Sequence, residues 1–469
     1  MPLGSRGNTA GDLAVAAGVS HAAMVRRCSS EMSPLLKGRP HTIESGEVSR
    51  YTLHWRVEDS VQSSGAFSLV CNLIVDLSPA GLLPLPMCLA DTGVVPAVVM
   101  ATVFAGACVW TMSLVGHSVV LTGQQTYAGM WGQVIGPRTQ WFPLLVLVIV
   151  TFGCSLGYLC LFAAMMKDLL PQDVIPEWGS PRIWALIVVL PPLLPICMLK
   201  DLAALSFVSG PAGVATLYVV GIVLVRALDG TYAEGGRFHH GAVAQPTLHT
   251  SLFHVSPKSL QLVNALAIGY LCHYNACKYY RELRGHTPRR FTRVVGVGVG
   301  MTSLIFMVVM IFGFMTFGSA AKAVILNSYA ADDGFARAAQ VCLSLAILGS
   351  LPLMFTGLRE SVVELGKLWA PDRCRDFDRT SVQDMMSVVL LLVLGLVAMV
   401  CSDVWLVLNI VGAVCGALTI YVLPCLLYAE SVRRILGVKG HLVELVVVYG
   451  MLVVGVVLGF LGLYVALAF

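Results

Sequence analysis

The sequence predicts an all-α polytopic membrane protein of eleven transmembrane helices. Three observations carry that prediction: a composition unsuited to water, apolar runs recurring at span length, and a one-sided distribution of Lys and Arg. Hydrophobic residues make up 57% of the 469 and charged residues 12%, where soluble domains carry about 25%. Mean hydropathy is +0.81. Apolar side chains would have to cover the surface of a soluble protein of this composition, which argues against a soluble enzyme, a nucleic-acid binder or a disordered scaffold. The net charge of +4 says less than the placement of the charges.

Residues 1–60 contain Ser, Gly and Arg with no sustained apolar period, and read as a flexible cytoplasmic tail ahead of a transmembrane domain at 61–469. No signal peptide is visible: Gly11–Val25 is Ala-rich and weakly apolar, with no long apolar core after it. The first span is therefore expected to insert as a signal anchor. Within the tail, Glu31-Met-Ser-Pro-Leu35-Leu36 fits an acidic dileucine sorting pattern, a short pattern that also arises by chance.

A helix rising 1.5 Å per residue needs about 20 residues to cross roughly 30 Å of hydrocarbon. Runs suited to this lie at 66–90, 93–120, 141–166, 182–199, 203–226, 259–280, 294–318, 335–357, 385–402, 404–428 and 442–467. With the tail in the cytoplasm and the spans alternating, the inner segments hold 23 Lys and Arg and the outer segments 7. This bias is the positive-inside pattern, and it places Phe469 on the outer side. The 14 Cys contain no Cys-x-x-Cys pair and lie mostly in or beside apolar runs, where Cys serves as a small packing residue. No Asn-x-Ser/Thr acceptor for glycosylation occurs.

Several spans carry helix breakers, and those of the first and sixth bear on a site. The first contains Asp76-Leu-Ser78-Pro79-Ala80-Gly81, followed by Pro84 and Pro86. Pro removes an amide donor and clashes with the preceding turn. Freed backbone groups are tolerated in hydrocarbon only where protein or a cavity satisfies them, so a broken span points to a binding site. The sixth span has a weaker break at Gly269, between Ile268 and Tyr270. Interruptions five spans apart fit two inverted five-helix halves.

Several stretches then look familiar. Gly81-Leu-Leu-Pro84-Leu-Pro86-Met-Cys-Leu-Ala-Asp91-Thr92-Gly93 resembles the Gly-Ile-Leu-x-Leu-Pro…Thr-Gly stretch of the amino acid/auxin permease family. Leu271-Cys272-His273-Tyr-Asn275…Tyr280-Arg281-Glu282-Leu283 resembles its sixth-helix Cys-His…Tyr-x-Glu-Leu motif. Gly313-Phe-Met-Thr-Phe317-Gly318 is similar to its Gly-Tyr-x-x-Phe-Gly, and Leu351-Pro352-Leu…Arg359 to its Pro-Leu…Arg. The matches stand in order from the first span to the eighth. The resemblance implies a five-plus-five inverted repeat of LeuT-like fold within the APC superfamily, with broken helices one and six. It also implies a symporter that carries amino acids, with a co-transported proton or sodium and no other cofactor. One departure is plain: the family's first break usually reads Gly-x-Gly, preceded by Asn in sodium-coupled members, whereas Pro79-Ala80-Gly81 and Val75-Asp76 stand here.

Asp76 is the acidic residue deepest in an apolar span. An ionisable residue there is a functional candidate by default. It either carries a coupling proton or pairs with a cationic substrate; the structural alternative is that it caps a half-helix beginning near Ser78. Under the resemblance, the amides of Ala80, Gly81 and Leu82 would meet the substrate carboxylate at a half-helix N-terminus. On the sixth span, Ile268, Gly269 and Tyr270 would line the substrate, with Tyr270 covering it and Gly269 leaving room. His273 either titrates as a coupling group or makes a structural hydrogen bond to a neighbouring helix. Ser350, with Ser344, would supply part of a sodium site, or simply packs. The outer loop 227–258 holds His239, His240, His249 and His254, which without helical spacing or Cys read as solvated rather than as a metal site.

The expected partners are an amino acid and the lipid bilayer, with no nucleic acid. The plasma membrane is the expected location and an acidic, vacuole-type organelle the alternative. A sensor that binds an amino acid and signals through its tail is the competing function. A channel would need a polar pore stripe, and a membrane enzyme a catalytic constellation, neither of which is visible.

Overall fold

A computed structural model describes residues 65–169, 180–199, 202–239, 252–253, 255–371, 374–377, 379–401 and 403–468. The expected tail, with Leu35 and Leu36, lies outside them, as do His240, His249 and His254. Among the described residues the secondary structure is helical, without a strand.

Helices α1 (Ala66–Gly81) and α2 (Leu85–Thr92) fall on the first apolar run. Gly93, at φ 75°, takes a positive-φ conformation that side chains rarely adopt and leads into α3 (Val94–Thr122), which ends at the left-handed Gly123. The short α4 (Tyr127–Val134) is capped by Thr126 Oγ1, which accepts from the Gly129 amide at 3.0 Å. Then come α5 (Trp141–Leu169), α6 (Pro181–Cys197) and α7 (Leu202–Leu228). Helices α8 (Leu260–Gly269) and α9 (Ala276–Glu282) share the sixth run and are separated by Tyr270–Asn275, whose last three residues form a 3₁₀ turn. Then follow α10 (Pro288–Phe317), α11 (Gly334–Trp369), a single helical turn at Cys374–Phe377, α12 (Thr380–Val400), α13 (Val404–Leu436) and α14 (Leu442–Ala468). Much of α13 is wound as π-helix.

Eight helices among the described residues are long and apolar enough to cross a membrane; Ala66–Ser78 and Ile183–Cys197 are shorter apolar stretches. Their packing sorts them into centre and rim. Of the most apolar stretch in α5, 78% is buried, against 22% in α14. The outward face of α14, including Val446, Val447 and Phe460, is apolar and exposed, as a lipid-facing surface must be. α1 packs on α7, α8, α10 and α11 at the centre, and α5 on α11.

Arg359, which the charge pattern assigns to an inner loop, is buried within α11. It donates to the carbonyls of Cys197, Met198 and Leu199 at 3.0, 3.4 and 3.1 Å, closing the C-terminal end of α6. Terminal carbonyls of a helix lack intrahelical donors and favour a cation.

Candidate functional site

The first interruption begins later than the Pro79 pattern predicts. α1 continues through Asp76 and Ser78 to Gly81, and the chain leaves helical form over Leu82–Pro84. Pro79 removes the amide that would bond the Val75 carbonyl four residues back. That carbonyl instead accepts from Ser350 Oγ of α11 at 3.3 Å. The neighbouring Asp76 carbonyl accepts from Tyr158 of α5, also at 3.3 Å. Side chains of two packed helices thus satisfy the weakened turn, so the helix survives its proline.

This placement revises three expectations. Asp76 caps nothing: the following half-helix, α2, starts nine residues on at Leu85, with no side-chain cap. Gly81 ends α1 rather than opening a second half-helix, and the Leu82 amide is bonded to Ser78 O at 3.3 Å. Pro84 and Pro86 offer no amide at the start of α2. Of Ala80 only the backbone, in the last turn of α1, is described. Ser78 is buried and its hydroxyl has no partner in the protein.

Asp76 is 2% exposed. Tyr274 donates to its Oδ1 in a short hydrogen bond, and Tyr279 donates to its Oδ2 at 2.7 Å. Tyr274 comes from the linker after α8 and Tyr279 from α9, so the carboxyl of the first run is held by the sixth. No Lys or Arg forms an ion pair with Asp76 among the described residues. A buried carboxylate favours pairing or protonation. Composition and spacing did not single out Tyr158, Tyr274 or Tyr279. The available signal was position: Tyr274 and Tyr279 sit inside the Cys272–Leu283 stretch that carried the family resemblance.

The two interruptions meet at Gly81 and Gly269. A Cβ added to Gly81 would stand 2.7 Å from Phe306 Cζ, and one on Gly269 would stand 2.8 Å from Phe306 Cε2 and 3.3 Å from Gly81 Cα. The space expected beside Gly269 is therefore filled by Gly81 and the Phe306 ring in this conformation. Tyr270 is fully buried, with its hydroxyl 2.8 Å from Ser303 of α10 and its ring 5.3 Å from that of Phe306. Ile268 and Leu77 line a narrow cavity with Tyr158, Met354 and Leu408. Leu82 is fully buried. Ser344 donates to Gln340 O in its own helix at 2.7 Å. His273 is fully buried, with Nε2 2.8 Å from Thr111 Oγ1 on α3. Its carbonyl accepts from Tyr127 at 2.6 Å.

Tyr274 also lines an open cleft. Lys278 and Arg281 of α9 line it from one side and Glu360 and Glu364 of α11 from another, with Lys278 paired to Glu360 at 3.3 Å. One phenol thus stands between the buried carboxyl of Asp76 and a cleft lined by charged side chains.

Comparison with known proteins bears on both fold and family. The vacuolar amino acid transporter 2 of Saccharomyces cerevisiae is 21% identical over 364 residues, spanning 75% of this chain and 74% of that protein. The amino acid transporter AVT6E of Arabidopsis thaliana is 23% identical over 387 residues, spanning 79% and 77%. Among solved structures, Mhp1, a nucleobase-cation-symport-1 family transporter closed around bromovinylhydantoin, superposes with a TM-score of 0.55 at 14% identity over 87% of this chain and 94% of its own. MhsT in complex with L-phenylalanine gives 0.55 at 12% identity over 86% and 99%. These two show a transporter fold of LeuT-like class for the chain. The family model described as transmembrane amino acid transporter protein matches residues 62–468. The chain belongs to that family of polytopic membrane transporters.

Proposed function

We propose that the protein is a proton-coupled amino acid symporter in which Asp76 carries the proton. The carrying observation is the carboxyl of Asp76, buried without a cationic partner and held by the hydroxyls of Tyr274 and Tyr279. Protonation would neutralise it in one conformation. Release would run past Tyr274 into the cleft lined by Lys278 and Glu360. Sodium coupling is the weaker reading: Ser350 Oγ is engaged with the Val75 carbonyl, and Asp76 stands near where sodium-coupled relatives carry Asn.

In this reading the chain crosses the bilayer eleven times, as a five-plus-five inverted repeat. The pairs α1–α2 and α8–α9 are its broken helices one and six. The tail and the Lys278–Arg293 stretch lie in the cytoplasm, so the cleft opens inward. The substrate would enter between Gly81 and Gly269 once the two interruptions separate. The name of the yeast relative supports an acidic, vacuole-type membrane as the working location, with the plasma membrane as the other.

Asp76→Asn keeps the shape and removes the charge. The variant should lose uptake driven by a pH gradient and retain exchange of substrate across the membrane. Loss of Lys or Arg transport alone, with pH-driven uptake of neutral amino acids intact, would make Asp76 a specificity residue. Wild-type uptake of every amino acid would remove it from the mechanism.

A further inference from the structure

We infer that Cys108, Cys272 and His273 form a binding site for a soft metal ion, Zn²⁺ or Cu⁺, at the junction of α3 and the linker between α8 and α9. The two sulfurs and a ring nitrogen of His273 lie within 4.8 Å of one another, and all three residues are buried. Zn–S bonds of about 2.3 Å and Zn–N bonds of about 2.0–2.1 Å give tetrahedral edges of about 3.6–3.8 Å. A contraction of about 1 Å at most therefore brings the three into a first coordination shell.

The protonation of His273 supports the site independently. Thr111 Oγ1 donates its hydrogen within its own helix, to Ala107 O at 2.8 Å. In that arrangement it accepts from the imidazole across the 2.8 Å contact, the tautomer that carries the ring hydrogen on Nε2. The lone pair is left on Nδ1, which is buried and has no partner in the protein. A ligating imidazole is ordinarily held in this way, by a hydrogen bond at its other nitrogen. Tyr127, by bonding the His273 carbonyl, fixes the backbone that carries the ring.

Charge and donor type narrow the ion. Thiolate and imidazole select zinc and copper(I) over hard cations. Zn²⁺ with two thiolates and a neutral imidazole has no net charge, so it adds none to the buried interior. The Tyr270 carbonyl lies 3.5 Å from Cys108 Sγ, close to a tetrahedral edge, and offers its oxygen as a fourth ligand. Cu⁺ is satisfied by the three side chains and carries one net negative charge. Binding of either ion to the two thiols releases two protons. The ion would brace the linker after α8 against α3. Spacing could not reveal this site, because Cys108 lies in α3 and Cys272 in the linker after α8, far apart in the chain.

Purified full-length protein, reduced and freed of metal, would be exposed separately to Zn²⁺ and to Cu⁺, desalted and assayed for bound metal. One ion retained per chain is expected, with two protons released as read by calorimetry in buffers of different ionisation enthalpy. Cys108→Ser, Cys272→Ser and His273→Ala should each lower the affinity at least tenfold, while Cys342→Ser should not. Whichever ion is retained identifies the metal. Cd²⁺ on the wild type should give a thiolate-to-metal ultraviolet band, a readout that survives if the variants fail to fold. The site is refuted if the wild type retains neither ion, if no thiolate band forms, or if Cys108→Ser and Cys272→Ser variants that fold bind as the wild type does.

Discussion

Replacing Gly269 or Gly81 by Ala puts the contact between the two interruptions to a direct test. A Cβ on Gly269 would lie 2.8 Å from Phe306 Cε2 and 3.1 Å from Cζ, and 3.3 Å from the Gly81 Cα. The tightest obstacle is an aromatic edge. A Cβ on Gly81 would meet the Gly269 backbone most closely, and Phe306 Cζ at 2.7 Å besides. Inserting a methyl group into such packing costs about 1–3 kcal/mol. The two variants differ in what can relieve that cost. Phe306→Leu removes the ring atoms that confront Gly269→Ala, at the expense of a small cavity. It leaves the backbone that confronts Gly81→Ala. In a double-mutant cycle, Gly269→Ala and Phe306→Leu should therefore show a favourable coupling of about 0.5–3 kcal/mol, and Gly81→Ala and Phe306→Leu a clearly smaller one. Thermal melting of purified protein in detergent, at fixed detergent and lipid, reads both cycles. The close contact is refuted if Gly269→Ala melts as the wild type does, or if Phe306→Leu rescues the two glycine variants equally.

Two further predictions concern α11 and its N-cap. Arg359→Lys keeps the charge and loses the guanidinium fork that reaches three carbonyls of the α6 terminus, so it should lower stability by about 1.5–3 kcal/mol, with Arg359→Met at least as damaging; wild-type melting of the Lys variant would show that the fork is dispensable. Burial alone would raise the carboxyl pKa of Asp333, but hydrogen bonds from Arg226 at 2.7 Å, the Ala336 amide and Tyr232 hold it below the ordinary value. A depressed carboxyl stabilises the fold above its unfolded pKa, and the contribution is lost as pH falls through the folded value. The melting difference between wild type and Asp333→Asn should therefore stay constant from about pH 7 to 5, the range of an acidic organelle, and shrink only below about pH 4. A difference that vanished by pH 6 would contradict the ion pair.

The class of protein and the order of its apolar segments were legible in the sequence, because those follow from how many consecutive residues avoid water. Asp76 stood out for the same reason: a carboxyl within such a run has few inexpensive surroundings. α8 ends at Gly269, where glycine weakens a helix through its own backbone freedom. Pro79 misled, because its local effect depends on what lies beside it. Ser350 on α11 accepts the role of donor to the freed carbonyl, and Tyr158 on α5 supports the next one, so α1 continues to Gly81. Those donors come from helices far along the chain, and no local pattern announces them. Tertiary structure alone likewise decided that Tyr274 and Tyr279 grip Asp76, that Gly81 abuts Gly269, and that His273 faces Thr111 while its other nitrogen stays free. Hydropathy records only the preference of each residue for leaving water. It cannot specify which faces of two helices meet, and the chemistry of this site resides in those meetings.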